Sequence, residues 1–136
     1  MVTGKKTKLY PGSRKSARAT AAVVPGTGKI RINNIPVEMM MPTVARQRIL
    51  TPIVLSGDIR DKVDIDVRVS GGGFMGQAEA AAMAISRALV DQTRGQELRR
   101  RITEYDVHLL SGDFRQPETK KFGGPGPRRR KQKSYR

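Results

Sequence analysis

The sequence contains no cysteine and no tryptophan, and aromatic residues make up only 4% of it. Without cysteine the chain cannot form disulfides, zinc–thiolate sites or a thiol nucleophile. It also lacks a run of about 18 apolar residues, which a membrane-spanning helix needs, and its first residues lack the apolar core of a signal peptide. We therefore expect a soluble, unsecreted protein without redox chemistry.

Acidic residues are scarce relative to basic ones. The 136 residues include 12 Asp and Glu against 27 Lys and Arg, which gives a net charge of +15. An excess of this size favours a polyanionic partner, and nucleic acid is the leading candidate. Most of the excess lies at the two ends. The sequence therefore predicts three parts: a basic N-terminal segment (1–18), a globular α+β domain (19–113) and an extended basic C-terminal tail (114–136).

The predicted tail contains three prolines and almost no apolar residues, so it cannot form a core of its own. Fully extended, residues 114–136 would span about 75 Å at about 3.3 Å per residue. Such a segment could thread deep into folded RNA. The alternative interpretation is a disordered tail that only keeps the protein in solution.

Strands and helices are interspersed between residues 19 and 113, which predicts an α+β fold with one small mixed sheet packed against helices. Residues 19–24 and 29–32 flank the turn-forming sequence PGTG and together predict a β-hairpin. The strict alternation VDIDVRV at 63–69 predicts a strand with its valines and Ile65 facing the core.

Three segments have helical spacing. The first is 42–55, where Pro52 is expected to kink or end the helix; the others are 77–91 and 96–106. The residues predicted to face the core are Ala45, Ile49 and Ile53 in the first helix, Ala78, Ala81, Ala82, Ile85 and Leu89 in the second, and Leu98, Ile102 and Tyr105 in the third.

A GxGxxG pattern at Gly71, Gly73 and Gly76 stands between a predicted strand and a predicted helix, as in dinucleotide-binding proteins. No strand that could complete a parallel βαβ unit is predicted after it. The pattern is not a Walker loop either, because Gln77 and Ala78 follow Gly76 where Lys and Ser or Thr would be required. Three interpretations stay open for this turn: binding of an RNA phosphate, close packing only, or binding of a free nucleotide.

Other catalytic or metal-binding signals are weak. His108 is the only histidine, and we interpret it as structural. Asp64 and Asp66 would alternate on one strand face, either as metal ligands or, more ordinarily, as solvated partners of nearby arginines. We therefore predict no enzyme activity, no cofactor and no metal site.

Five separated segments resemble the family of ribosomal protein nine of the small subunit: GSRKSARA (12–19), GTGKIRIN (26–33), GGGFMGQAEA (71–80), RALV (87–90) and QKSYR (132–136). The resemblance extends over residues 9–136. It implies a fold like the second domain of ribosomal protein five, with a left-handed crossover. It also implies binding of ribosomal RNA (rRNA) in the head of the small subunit and contact between the C-terminal tail and the peptidyl-site tRNA.

Carried onto this sequence, the resemblance and the basic clusters predict two sets of ligands. Arg and Lys suit phosphate as bidentate and point-charge donors respectively. The predicted rRNA ligands are Arg14, Lys15, Arg18, Lys29, Arg31, Gly72, Gly73, Gln77, Lys120, Lys121, Arg128, Arg129, Arg130 and Lys131. The predicted tRNA ligands are Lys133, Ser134, Tyr135 and Arg136; Tyr135 departs from the bacterial ending and is similar to the archaeal or eukaryotic one.

Overall fold

The computed structural model describes residues 7–135, in which one mixed sheet packs against helices. This confirms the predicted α+β class. Besides two short 3-10 helices (Val37–Met39 and Gly57–Lys62), the elements are β1 (Leu9–Arg14), β2 (Ala17–Pro25), β3 (Ile30–Ile32), β4 (Ile35–Pro36), α1 (Thr43–Ser56), β5 (Val63–Ser70), α2 (Phe74–Thr93), α3 (Gln96–Tyr105) and α4 (His108–Ser111).

The predicted strand at 63–69 is confirmed as β5, and it lies at the centre of the sheet. The strand order is β1-β2-β5-β3-β4, so β5 pairs antiparallel with β2 and parallel with β3. The predicted hairpin of 19–24 with 29–32 is therefore wrong, because β5 lies between its two strands. The backbone groups of Gly26 and Lys29 bond to Lys62 and Ile65, so the PGTG turn crosses the start of β5.

The basic N-terminal segment is part of the sheet from Leu9 onward, whereas the charge division set residues 1–18 apart as an arm. β1 pairs along its whole length with β2. Tyr10 is buried, and a Cβ on Gly12 would lie 2.8 Å from the backbone nitrogen of Ala84 in α2. Division of the chain by charge did not identify this strand, because its two buried residues, Tyr10 and Gly12, carry no charge and alternate with exposed residues.

Helix α2 lies between the sheet on one side and α1 on the other. The predicted apolar stripe of α2 is confirmed as buried, and Ala80, Ala84 and Ala88 are buried as well. These small side chains let the sheet and α1 approach the helix closely from both sides. In α1, Ala45, Ile49 and Ile53 are buried as predicted, but Pro52 does not end the helix, because the same buried face continues to Ser56.

In α3, Leu98 and Ile102 are buried as predicted, whereas Tyr105 is 59% exposed. The prediction for Tyr105 is wrong because α3 ends there and the chain turns away at Asp106. The short helix α4 was not predicted. From residue 114 to residue 135 the chain forms no strand or helix.

Candidate nucleic-acid interface

The candidate interface begins at the end of the sheet where β2 starts and β5 stops. Because β2 runs antiparallel to β5, Arg18 lies opposite Ser70, the last residue of β5. The β1–β2 turn, which contains Lys15, therefore lies beside the glycine turn 71–73 that leads into α2. The sheet-end surface is defined here as Lys15, Arg18, Arg68, Gly71, Gly72, Gly73 and Gln77.

Close packing accounts for two glycines of this surface. Gly71 and Gly72 have φ values of +76° and +67°, which favour glycine. A Cβ on Gly71 would lie 2.7 Å from the carbonyl oxygen of Ser16, and one on Gly72 would lie 3.1 Å from the Cβ of Ala17. These contacts fit the interpretation in which the glycines permit a tight turn against the β1–β2 turn.

Gly73 and Gln77 form the open part of the same turn. A Cβ on Gly73, the N-cap of α2, would meet nothing within 4 Å. The side-chain amide of Gln77 donates a hydrogen bond of 3.1 Å to the carbonyl of Gly71. The first backbone N–H groups of α2 have no partners within the helix, as at any helix start, and this geometry suits a phosphate. Phosphate binding here stays a prediction.

The side chains around this turn are cationic and largely unpaired. Within residues 7–135, Lys15 and Arg68 have no ion-pair or hydrogen-bond partner, and Arg18 donates only to backbone carbonyls such as that of Lys15 at 2.7 Å. No carboxylate belongs to the sheet-end surface. The prediction did not include Arg68 among the ligands, although the alternation in β5 placed its side chain on the outer face of the sheet.

Arg14 has a different environment from the exposed one that an RNA ligand requires. Its side chain is only 15% exposed; its Nε lies 2.6 Å from a carboxylate oxygen of Glu79, and Nη2 lies 3.3 Å from one of Asp113. A further guanidinium nitrogen donates to the carbonyl of Arg115. Arg14 thus joins β1, α2 and the first residues of the tail, and the prediction that it binds RNA is not supported by this geometry.

Asp113 completes this anchor of the tail. Its carboxylate accepts hydrogen bonds from the Arg115 guanidinium at 2.6 to 3.0 Å, and its backbone forms a parallel β-bridge with Arg14. The side-chain and backbone hydrogen bonds from Arg115 hold the pKa of Asp113 far below its usual range. The direction in which the tail leaves the body is therefore set by the ion pairs of Asp113 with the half-buried Arg14 and the exposed Arg115.

Lys29 lies away from the sheet-end surface, whereas Arg31 and its carboxylate partner Asp66 line one pocket with Arg68. Lys29 is exposed at the opposite end of the sheet, and Arg31 forms an ion pair with Asp66 at 2.9 Å. The carboxylate of Asp64 accepts hydrogen bonds from the backbone N–H groups of Lys29 and Thr27, which lower its pKa. Asp66 thus pairs with a nearby arginine, as its ordinary interpretation expects, whereas the partners of Asp64 are backbone N–H groups.

The tail turns back on itself between residues 118 and 131. Glu118 pairs with Lys121 at 2.9 Å and with Arg128 at 3.0 Å, and the backbone N–H of Lys131 donates to the carbonyl of Gly123 at 3.1 Å. Arg130 donates to the carbonyl of Phe122. The exposed side chains of Lys120, Arg129 and Lys131 have no polar partner in the described part of the chain.

The predicted tRNA ligands lie at the end of this tail. Lys133, Ser134 and Tyr135 are exposed, and Tyr135 is 92% exposed. Arg136 lies outside the described residues. The fold therefore leaves the side chains of residues 133–135 available to a partner.

The nucleotide-binding interpretation of GxGxxG is not supported by the fold. In a dinucleotide site the helix after the glycines leads to a second parallel strand beside the first. Here, over residues 7–135, β5 is the last strand, and α2 leads to α3 and α4. In the same residues, no helix is both long and apolar enough to cross a bilayer.

Comparison with known proteins identifies the family to which this chain belongs. A model of the family described as ribosomal protein S9/S16 matches residues 12–136. The small ribosomal subunit protein uS9 of Halobacterium salinarum is 52% identical over 126 residues, covering 92% of this chain and 96% of its own length. The proteins of the same name from Desulfurococcus amylolyticus and Methanothrix thermoacetophila are 50% and 45% identical, each over 92% of this chain and over 89% and 95% of their own lengths. Since the matches extend over nearly the whole sequence, the chain belongs to the ribosomal protein S9/S16 family.

Proposed function

We propose that the body and tail of this chain bind rRNA in the head of the small ribosomal subunit, and that the tail end contacts the peptidyl-site tRNA. Membership of the ribosomal protein S9/S16 family supports a broader statement about the function of the chain. The chain is a structural constituent of the small subunit of cytoplasmic ribosomes, and so part of the ribonucleoprotein that carries out translation. The family is structural rather than enzymatic.

The sheet-end surface carries the proposal for the body. It presents three cationic side chains without carboxylate partners beside the open N-terminal turn of α2. Guanidinium and ammonium groups bind phosphate oxygens, and backbone N–H groups at a helix start add donors for the same charge. The low aromatic content of the sequence, 4%, favours recognition of the RNA backbone over base stacking.

The tail supplies the second rRNA contact. Lys120, Arg129 and Lys131 are exposed without polar partners, while Lys121 and Arg128 share the single carboxylate of Glu118. RNA phosphates would compete with Glu118 for these two cations. If about ten phosphates are neutralised in all, the log–log plot of affinity against salt should have a slope of roughly −7 to −9.

Replacing Arg128, Arg129 and Arg130 together by Ala tests the rRNA contact of the tail. We expect the variant to be incorporated into reconstituted small subunits less than the wild type, since these charges would lie against RNA. A matched control replaces Arg60, Arg100 and Arg101 by Ala. This change removes the same amount of charge, but from residues that pair with carboxylates of the body. Normal incorporation of the tail variant would show that the tail only keeps the protein in solution.

The tRNA contact rests on Lys133, Ser134 and Tyr135, in the last described part of the tail. Their described side chains are exposed, and they lie far along the chain from the anchor at Asp113. Lys133 supplies a charge, and Tyr135 supplies a hydroxyl donor and a ring that can stack.

Deleting residues 133–136 tests this contact separately. The shortened chain should still assemble into the small subunit, while the subunits should bind tRNA more weakly in the peptidyl site. Filter binding of tRNA to subunits that carry the full-length or the shortened chain measures the difference. Equal tRNA affinity, with equal occupancy of the protein in both particles, would refute the tRNA assignment and leave the rRNA contacts in place.

A further inference from the structure

A second basic surface lies at the end of the body opposite the sheet-end surface. Helix α2 begins beside the glycine turn and ends at Thr93, so its 20 residues separate the two ends by about 30 Å at 1.5 Å per residue. At the far end the buried Tyr10 in β1 donates a 2.6 Å hydrogen bond to Asp91 in the last turns of α2. The start of β1, the end of α2 and the start of α3 meet there.

These three elements enclose an open cleft of about 590 Å³, here named the α2–α3 cleft. Its lining includes four basic side chains and a single acidic one, Asp91. Lys8 and Tyr10 both bond to that carboxylate, at 2.9 and 2.6 Å, so its charge is already compensated. Arg87 also has partners within the protein, because its guanidinium donates hydrogen bonds to the backbone carbonyls of Leu110 and Pro11.

The other two cations of the cleft have no such partners. Arg94 and Arg99 are exposed, and within the described part of the chain neither has a hydrogen-bond or ion-pair partner. By contrast, Arg100 and Arg101, which follow Arg99 in α3, form ion pairs with Glu104 and Glu97 respectively. Two unpaired guanidinium groups that line one open cleft can bind phosphates. Asp91, the single carboxylate in this lining, is already bonded to Lys8 and Tyr10.

We propose that the α2–α3 cleft, with Arg94 and Arg99, is a second phosphate-binding site that holds an RNA backbone segment distinct from the one at the sheet-end surface. This rests on the proposed function, since it assumes that the partner is rRNA. The body then bridges two RNA segments about 30 Å apart, one at each end of α2. An acidic protein segment would be the alternative occupant, but the free groups here are forked donors for phosphate, and the cleft is shallow and open.

Site-directed cleavage can locate the two segments, because the chain has no cysteine of its own. Single cysteines introduced as Q96C in the cleft and S16C at the sheet end would each carry a tethered Fe(II)–EDTA group in reconstituted small subunits. We expect both probes to cleave rRNA, at separate positions. The wild-type chain treated with the same reagent is the control. Absence of rRNA cleavage from position 96, with cleavage from position 16, would overturn the proposal while the proposed function stands.

A double substitution of Arg94, at the end of α2, and Arg99, in α3, supplies the second test. The variant R94A/R99A should lower the magnitude of the log–log salt slope for rRNA binding by about 1.4 to 1.8, if each arginine neutralises one phosphate. The matched variant R100A/R101A removes the same charge from paired residues and should change the slope much less. Equal slopes for the wild type and R94A/R99A would overturn the proposal. If the wild type itself bound rRNA without salt dependence, the proposed function would fail with it.

Discussion

The hydroxyl of Tyr10 links β1 to α2 through its hydrogen bond to Asp91. Replacing Tyr10 by Phe tests how the ionisation of this hydroxyl changes the free energy of unfolding. Tyr10 is 6% exposed and donates a 2.6 Å hydrogen bond to Asp91. Burial, and then the bond to Asp91, raise the pKa of Tyr10 to about 12. In the unfolded chain the pKa of a tyrosine is about 10, which is about two units lower. Each pKa unit corresponds to about 1.4 kcal/mol. Ionising Tyr10 in the folded chain thus costs about 3 kcal/mol more than ionising it in the unfolded chain.

The sign of the pH dependence follows from which state keeps the proton. Above pH 10 the unfolded chain loses its phenol proton while the folded chain retains it, so stability falls as pH rises. The contribution of Tyr10 is therefore complete below pH 10 and is lost between about pH 10 and pH 12. In Y10F this loss cannot occur.

Urea unfolding of the wild type and Y10F from pH 7 to pH 11.5 measures the effect. Lysines ionise in the same range in both proteins, so the difference between the two unfolding free energies isolates Tyr10. We expect that difference to be constant up to about pH 9.5 and then to shrink by roughly 1.4 kcal/mol per pH unit. A difference that stays constant to pH 11.5 would refute the reasoning, since Tyr10 would then ionise like an exposed tyrosine.

Two further substitutions test contacts of the body and the tail. Gly12→Ala should destabilise the fold by about 1–3 kcal/mol, because a Cβ there meets the backbone of α2; thermal unfolding measures this. Gly126→Ala, whose Cβ would make only an ordinary contact at 3.7 Å, should leave the melting temperature unchanged. Asp113→Asn should speed tryptic cleavage after Arg115 at pH 7, since the ionised carboxylate holds Arg14 and Arg115. The wild-type cleavage rate, corrected for the pH dependence of trypsin, should not change down to pH 5, because the pKa of Asp113 lies far below its usual range.

Elements with a complete local pattern could be predicted from the sequence. The alternation of apolar and charged residues in 63–69 identified β5 and its two faces, and the spacing of alanines identified α2. Each pattern repeats over at least seven residues, so it reports which face is buried without knowledge of the neighbours. The buried residues of α1 were found in the same way.

Pairings between distant segments could not be predicted in this way. The two strands around the PGTG turn have the local features of a hairpin, yet β5 pairs with both of them. A long central strand with one buried face gains more from two partners than a short hairpin gains from one. This gain depends on residues 35 to 52 positions away along the chain. β1 was missed for a related reason, because its packing depends on Gly12 lying against α2.

The role of each basic residue is decided by its carboxylate neighbours, which sequence position does not reveal. Arg14 and Arg18 lie four residues apart in one basic cluster, and by charge alone they are equivalent candidates for RNA binding. The strand register places Arg14 beside Glu79 and Asp113, while Arg18 lies opposite Ser70 on the outer face of the sheet. Transfer of Arg14 to a phosphate would leave Glu79 without its partner and would remove one of the two partners of Asp113, whereas Arg18 would exchange only carbonyl contacts. An unpaired basic residue such as Arg68 is therefore a stronger candidate ligand than one held by two carboxylates such as Arg14.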